Sequence, residues 1–272
     1  MRILVADSGS TKTEWTLIDG GNVVRSIFTD GINPNQAATA VIVEMLSHSE
    51  LKSSVADQIY FYGSGCGSES GKSIVHDALK LTFPSSSIMV DSDLLGAARA
   101  MCHHEKGIIT ILGTGASSCL FDGSKIVEQR PSLGFILGDE GSGAVLGKMF
   151  IRKLLYGELP KNVSDAFHDE FGFDKDAIVR RVYREAYPNR FLAAFSEFIA
   201  KHKEQASVSE VIRDNFKMLI STHLSKYTDA KKLPLHFVGS IAHYFHEELH
   251  ALLQWNGYTI GNTERSPMEG LV

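Results

Sequence analysis

The sequence predicts an α/β protein of two lobes with a cleft between them, and three observations carry that prediction. An apolar strand, a Gly/Ser/Thr turn, a second strand and a hairpin open the chain, and the same design returns at Ile108. Short apolar strands alternate with amphipathic stretches along most of the length. No long Pro/Ser linker interrupts the chain, so the two lobes are expected to pack closely.

Taken in order, residues 3–5, 15–18 and 23–28 read as an opening meander whose first hairpin closes at Asp19-Gly20. Residues 37–46 fit an amphipathic helix, and 58–62 and 87–90 read as buried strands. Residues 94–101 suit a helix. Gly107 is a joint, after which Ile108-Ile109-Thr110-Ile111-Leu112 leads into Gly113-Thr114-Gly115 and a hairpin at Asp122-Gly123. A glycine-rich stretch over 134–147 precedes a mainly helical region. Phe191, Ala194, Phe195, Phe198 and Ile199 recur at helical spacing, as do Val208, Val211, Ile212, Leu219 and Ile220, and these faces belong to a core. A late strand over 235–238 meets Gly239-Ser240 before a final helix. The lobes are expected at 1–107, completed by 258–272, and at 108–257.

Composition excludes several classes. With 272 residues, 43% of them hydrophobic, the chain can bury a substantial core. Its formal charge of −5, with Lys and Arg scattered, leaves no basic footprint for nucleic acid. No apolar run reaches membrane-spanning length and the N-terminus enters a strand directly, so a cytoplasmic protein without a membrane role is expected. Cys66, Cys102 and Cys119 are an odd number without CxxC spacing, which supports neither a disulfide framework nor a structural zinc site.

The repeated turns carry the chemistry. Ser8, Gly9, Ser10, Thr11 and Lys12 in the first block, and Gly113, Thr114 and Gly115 in the second, let the backbone approach closely and aim N–H and hydroxyl donors at anionic oxygens. Two such turns suggest two jaws around one polyphosphate, although either alone could be an ordinary hairpin. Asp7, at the end of the first strand, suits hydrated magnesium, because a hard cation prefers carboxylate and water oxygens.

Two other motifs are decoys. His246-Glu247-Glu248-Leu249-His250 matches the H-E-x-x-H zinc pattern, but nothing around it is organised for hydrolysis, and two histidines on a helix surface explain it. The run Gly65-Cys66-Gly67-Ser68-Glu69-Ser70-Gly71-Lys72-Ser73 has five residues where a P-loop has four, and reads as a loop entering a helix.

The Asp7–Thr13 turn, Ser92-Asp93-Leu94-Leu95-Gly96-Ala97, Gly113-Thr114-Gly115, Gly134-Phe135-Ile136-Leu137-Gly138-Asp139-Glu140-Gly141-Ser142-Gly143 and Val238-Gly239-Ser240 occur in the order seen in N-acetylglucosamine kinases. Over nearly its whole length the chain resembles these members of the BadF/BadG/BcrA/BcrD ATPase family, within the actin-like, sugar-kinase superfamily. The resemblance implies two ribonuclease-H-like domains closing over ATP and a sugar. It also implies that Thr11, Lys12, Thr114 and Gly115 touch the phosphates, that Asp7 organises Mg2+, and that Gly239 and Ser240 lie by the adenosine. Asn33, Gly134 and Asp139 would contact the sugar, and Asp93 would accept the proton of the attacking hydroxyl.

The residues themselves leave alternatives open. Asp93 could merely cap a helix, and Asp91 competes for either role. Asn35 could replace Asn33, and Lys12 varies among relatives. The expected activity is ATP-dependent phosphorylation of N-acetylglucosamine or a related amino sugar at the 6-hydroxyl, with a symmetric dimer as the default. The alternative is an activator-type ATPase that couples hydrolysis to a partner protein. Such activators hold an iron–sulfur cluster through cysteines, and the three cysteines here form no recognisable ligand pair.

Overall fold

A computed structural model describes residues 1–272, the Ser53 side chain excepted. The chain divides into two compact units. The first comprises Met1–Glu105, Phe121–Ile126 and Ser266–Val272, and the second Lys106–Leu120 and Val127–Arg265.

The first unit is built on strands β1 (Arg2–Ser8), β2 (Lys12–Asp19), β3 (Asn22–Asp30), β4 (Gln58–Gly63) and β5 (Ser87–Ser92), in the order β3-β2-β1-β4-β5. β1 and β2 pair antiparallel, as do β2 and β3, whereas β4 runs parallel to β1 and to β5. Parallel neighbours need helical crossovers, and helices α1 (Thr39–Ser47), α2 (Glu69–Thr82) and α3 (Asp93–Cys102) follow β3, β4 and β5. The Ser68 hydroxyl starts α2 by accepting the Gly71 N–H at 3.1 Å, so the P-loop-like run is a capped helix entry. One face of the sheet buries Leu4, Trp15, Ile32, Ile59 and Phe61 with Ile42, Leu46, Val75 and Leu79 of the helices. On a second, smaller cluster Met268 packs with Val5, Ile18 and Tyr62.

The second unit repeats the order. Strands β6 (Gly107–Leu112), β7 (Ala116–Phe121), β8 (Ile126–Gln129), β9 (Pro234–Val238) and β10 (Thr259–Glu264) are arranged β10-β9-β6-β7-β8, with β9 parallel to β6 and to β10. In both units the first strand of the block lies between the second and fourth, the signature of one topology used twice. Its helices are α4 (Gly134–Leu137), α5 (Gly143–Leu155), α6 (Lys161–Phe171), α7 (Lys175–Tyr183), α8 (Pro188–Ala193), α9 (Ser196–Lys201), α10 (Ala206–Thr222), α11 (Ser240–Tyr244) and α12 (His246–Trp255). Phe150, Phe167, Phe195 and Phe198 interlock at centroid separations of 5.2–6.0 Å, and α10 adds Val208, Val211, Ile212, Phe216 and Leu219 to the same core. The 191–199 periodicity is realised as two short helices that meet at Ala194–Phe195 rather than one.

The units differ from the expected lobes at Phe121–Ile126, which joins the first unit, and at the C-terminal end. Residues 259–264 form β10 of the second sheet, and only Ser266–Val272, with the short helix α13 (Met268–Leu271), joins the first unit. The β10 sequence Thr-Ile-Gly-Asn-Thr-Glu is half exposed and carries no apolar run, so its sheet membership rests on pairing with β9. Among the described residues no helix is long and apolar enough to cross a membrane.

Candidate active site

In the first unit, Asp7 sits near the end of β1 with Glu14 opposite it on β2 and Tyr62 opposite it on β4. The turn beyond it is fixed by the chain's own atoms. Gly9 donates its N–H to the Lys12 carbonyl at 3.0 Å, and the Thr11 carbonyl accepts from Gly31 at 3.0 Å. Gly31 packs so closely that a Cβ there would lie 2.5 Å from the Gly9 oxygen and 2.7 Å from the Thr11 nitrogen. The Ser8 hydroxyl lies 2.7 Å from that of Thr13, donates to the Ile32 carbonyl at 3.1 Å and accepts the Ile32 N–H at 3.0 Å. Ser8 thus ties the hairpin to the 31–33 segment with a hydroxyl already spent, while Gly9, Thr11 and Lys12 are exposed. The Lys12 ammonium lies 5.0 Å above the Phe28 ring.

Asp93 is the first residue of α3, but it does not cap it. Ser92 does, accepting the Leu95 N–H at 3.2 Å. The Asp93 carboxylate accepts the neighbouring Leu94 N–H at 2.8 Å and is also held by its own N–H. Burial pushes its carboxyl up to about 6, against the backbone N–H groups that hold it down. Asp7 is pushed up to about 7, first by burial and then by the charges of Asp93 and Glu14, with Lys12 opposing. The carboxylates of Asp7, Asp93 and Glu14 lie close enough for their charges to act on one another, with Lys12 opposing, an oxygen donor set of the kind a hard divalent cation takes. Asp91, the competing acid, is held by Lys72 at 2.9 Å, so the lysine of the P-loop-like run is engaged too. Asn33 is buried, its side-chain oxygen accepting the Asn35 N–H at 2.9 Å and its carbonyl accepting from Gln36 and Ala37. Asn35 is exposed.

In the second unit, the Gly113–Gly115 turn rests on the start of α5. Gly143 and Ala144 donate to the carbonyls of Gly113 and Thr114 at 2.9 and 3.1 Å, and Ser142 caps the helix through the Val145 N–H. Those carbonyls satisfy the first helix donors. Asp139 lies against this turn: its carboxylate oxygen is 3.0 Å from where a Gly115 Cβ would be. It is 8% exposed, adopts φ 59°, and leaves Oδ1 buried without a partner. Burial raises its carboxyl above the ordinary range, the Ala116 N–H opposing. Gly134 is exposed at the head of α4. Gly239 adopts φ 117° with its Cα against the Leu112 carbonyl, leaving no room for a side chain, and Ser240 begins α11.

The structure therefore assembles Asp7, Asp93 and the 9–12 turn within the first unit, and Asp139 with the 113–115 turn within the second. Sequence reasoning missed two polar anchors of the 138–142 loop, Asn215 and His223, because nothing local links them to it. The H-E-x-x-H pair lies on α12, where His250 Nε2 is 2.8 Å from the Thr263 hydroxyl. No group of three or more metal-ligating side chains occurs among the described residues. All three cysteines are free and buried, and burial pushes the thiols of Cys66 and Cys102 up to about 12.

The chain superposes on the crystal structure of a candidate N-acetylglucosamine kinase from Porphyromonas gingivalis with a TM-score of 0.94 and 42% identity, covering 99% of this chain and 96% of that one. A ROK family glucokinase from Streptomyces griseus, solved with glucose and AMPPNP, shares the fold at a TM-score of 0.59 and 12% identity, over 100% of this chain and 97% of that one. A glucosamine kinase of Vibrio cholerae is 34% identical over 110 residues, 38% of this chain, and the match spans 36% of that curated relative's length. The model of the BadF/BadG/BcrA/BcrD ATPase family matches residues 6–256, so the chain belongs to that family.

Proposed function

We propose that the chain is an ATP-dependent kinase that phosphorylates N-acetylglucosamine or glucosamine at the 6-hydroxyl. The observation that carries this reading is the state of Asp93. Its helix is capped by Ser92, its carboxylate accepts local backbone N–H groups and no side-chain donor, and its carboxyl is pushed up to about 6, within reach of neutral pH. Such a group can take the proton from a sugar hydroxyl as that oxygen forms its bond to the γ-phosphorus and the bond to ADP breaks. The 42% identity to the Porphyromonas gingivalis protein over the full length supports an amino sugar as substrate.

The remaining roles follow the chemistry of each group. The exposed turn from Gly9 to Lys12 and the turn from Gly113 to Gly115 would lie along the phosphate oxygens, with Ser10 and Thr11 bringing hydroxyls and Ser8 acting through the fold. Asp7 would hold magnesium, which neutralises phosphate charge when bound. Gly239 and Ser240 would lie along the adenosine, and Asn33, Gly134 and Asp139 along the sugar. Phosphoryl transfer depends on positioning and charge neutralisation more than on covalent participation by the protein, which is what these groups supply. The burial of all three cysteines argues against the alternative of a cluster-bearing activator ATPase.

ADP release measured with ATP, magnesium and a panel of sugars, against a control without sugar, tests the reading. Stimulation by one amino sugar with equimolar sugar phosphate is expected. Hydrolysis indifferent to every sugar would refute it.

A further inference from the structure

The 138–142 loop is held from α10 and the segment just after it. Asn215, completely buried, accepts the Gly141 N–H at 3.0 Å and donates to the Ser142 carbonyl at 3.3 Å. His223, 6% exposed, places Nε2 3.2 Å from the Glu140 carboxylate. Its other ring nitrogen lies 3.5 Å from the Ser118 hydroxyl, which is 2.8 Å from that of Tyr227, and Tyr227 accepts the Arg130 N–H at 3.2 Å. The histidine ring is thus fixed on both sides, and it fixes Glu140.

Asp139 stands between the glycine that enters the loop and these anchors. It combines a left-handed backbone with a buried carboxylate oxygen that has no partner. Both features cost stability, and such a conformation persists only where its surroundings over-determine it. The surroundings here are the Ala116 N–H and the Ser132 side chain on the other carboxylate oxygen, Asn215 on the peptides after Asp139 and His223 on the adjacent side chain.

We propose that His223 is a positioning residue for the sugar: by gripping Glu140, with Asn215 gripping the next two residues, it keeps the Asp139 carboxylate under-bonded and ready to accept from a ligand hydroxyl. The inference rests on the reading of Asp139 as a sugar contact. His223 itself touches no substrate, and its effect passes through the loop.

The test compares His223→Leu, His223→Gln and Asp139→Asn in the full chain. Amide exchange of the loop is read without ligand, and KM is read separately for ATP and for N-acetylglucosamine or glucosamine. His223→Leu should loosen the 138–142 loop and raise the sugar KM about tenfold or more, with the ATP KM within about twofold, in the range typical of groups that orient a ligand-binding side chain. His223→Gln, whose amide can still donate to Glu140, should recover most of the loss. A merely structural role would raise both KM values together and would not be rescued. If His223→Leu fails to fold, Ser118→Ala frees the far side of the ring and is read the same way. An unloosened loop in a folded variant overturns the inference whether or not a sugar is turned over. A sugar KM raised by Asp139→Asn but not by His223→Leu overturns it while leaving the kinase reading intact, whereas a sugar KM indifferent to Asp139→Asn overturns the assignment of Asp139 and this inference with it.

Discussion

Asp7→Asn is expected to stabilise the protein while disabling it. The Asp7 carboxyl rises from an ordinary 3.8 to about 7, mostly through burial, with Asp93 and Glu14 adding to the effect. At about 1.4 kcal/mol per tenfold change in proton affinity, that rise corresponds to at most about 4 kcal/mol of folding free energy lost when the group is ionised. Part of the effect is shared with Asp93, and a half-open site relaxes around charge, so about 2 kcal/mol is the working figure. The sign follows from linkage. Between pH 3.8 and about 7 the folded state binds more protons than the unfolded one, so this carboxyl makes stability fall as pH rises through that window. Asparagine keeps the shape and removes the charge. Thermal melts in a chelator at pH 8 should therefore place Asp7→Asn about 4–8 °C above the parent. At pH 4 the two should converge, because the carboxyl is then protonated in the folded state. Magnesium should narrow the gap at pH 8 by binding the parent. A variant no more stable than the parent at pH 8, or equally shifted at both pH values, would refute the reasoning.

Asp93→Asn should lower kcat by about 100-fold or more with ATP affinity retained, while Asp91→Asn should leave turnover near normal because Asp91 serves the Lys72 ion pair; the reverse pattern in steady-state kinetics would exchange their roles. In the parent, kcat/KM should fall as pH drops through about 6, where the Asp93 carboxyl takes up its proton, and a profile flat from pH 5 to 8 would remove Asp93 as the base. Gly31→Ala puts a methyl 2.5 Å from the Gly9 oxygen, so it should cost about 1–3 kcal/mol in denaturant titrations and raise the ATP KM. Gly239→Ala, forced into φ 117° against Leu112, should likewise cost about 1–3 kcal/mol, and an unaltered melting profile would contradict the strain.

Much of the architecture was legible because it is written locally. Apolar strands separated by Asp-Gly turns gave both meanders, helical spacing of apolar residues gave α1 and α10 to within a few residues, and α3 was read over 94–101, whereas of α2 only its entry after the 65–73 run was expected. The turns and acids of the candidate site stand out in the sequence too, since glycine, hydroxyl and carboxylate chemistry is confined to short segments. β10 escaped because its half-exposed sequence has no pattern of its own and becomes a strand only by pairing with β9.

What the sequence by itself determined is the inventory: two strand–turn–strand blocks, their Gly/Ser/Thr turns, the acids Asp7 and Asp93 at element ends, and Asp139 in a glycine-rich loop. Only the tertiary structure decided how each acid is partnered. Ser92 takes the helix cap and leaves Asp93 to the Leu94 N–H and its own, Lys72 takes Asp91 from nineteen positions away in the chain, and Thr13 with Ile32 takes the Ser8 hydroxyl. Asn215 and His223 reach the Asp139 loop from more than seventy residues downstream. A carboxylate's reactivity depends on which donors and charges surround it and how much water they exclude, and those neighbours are chosen by packing across distances that no local pattern encodes.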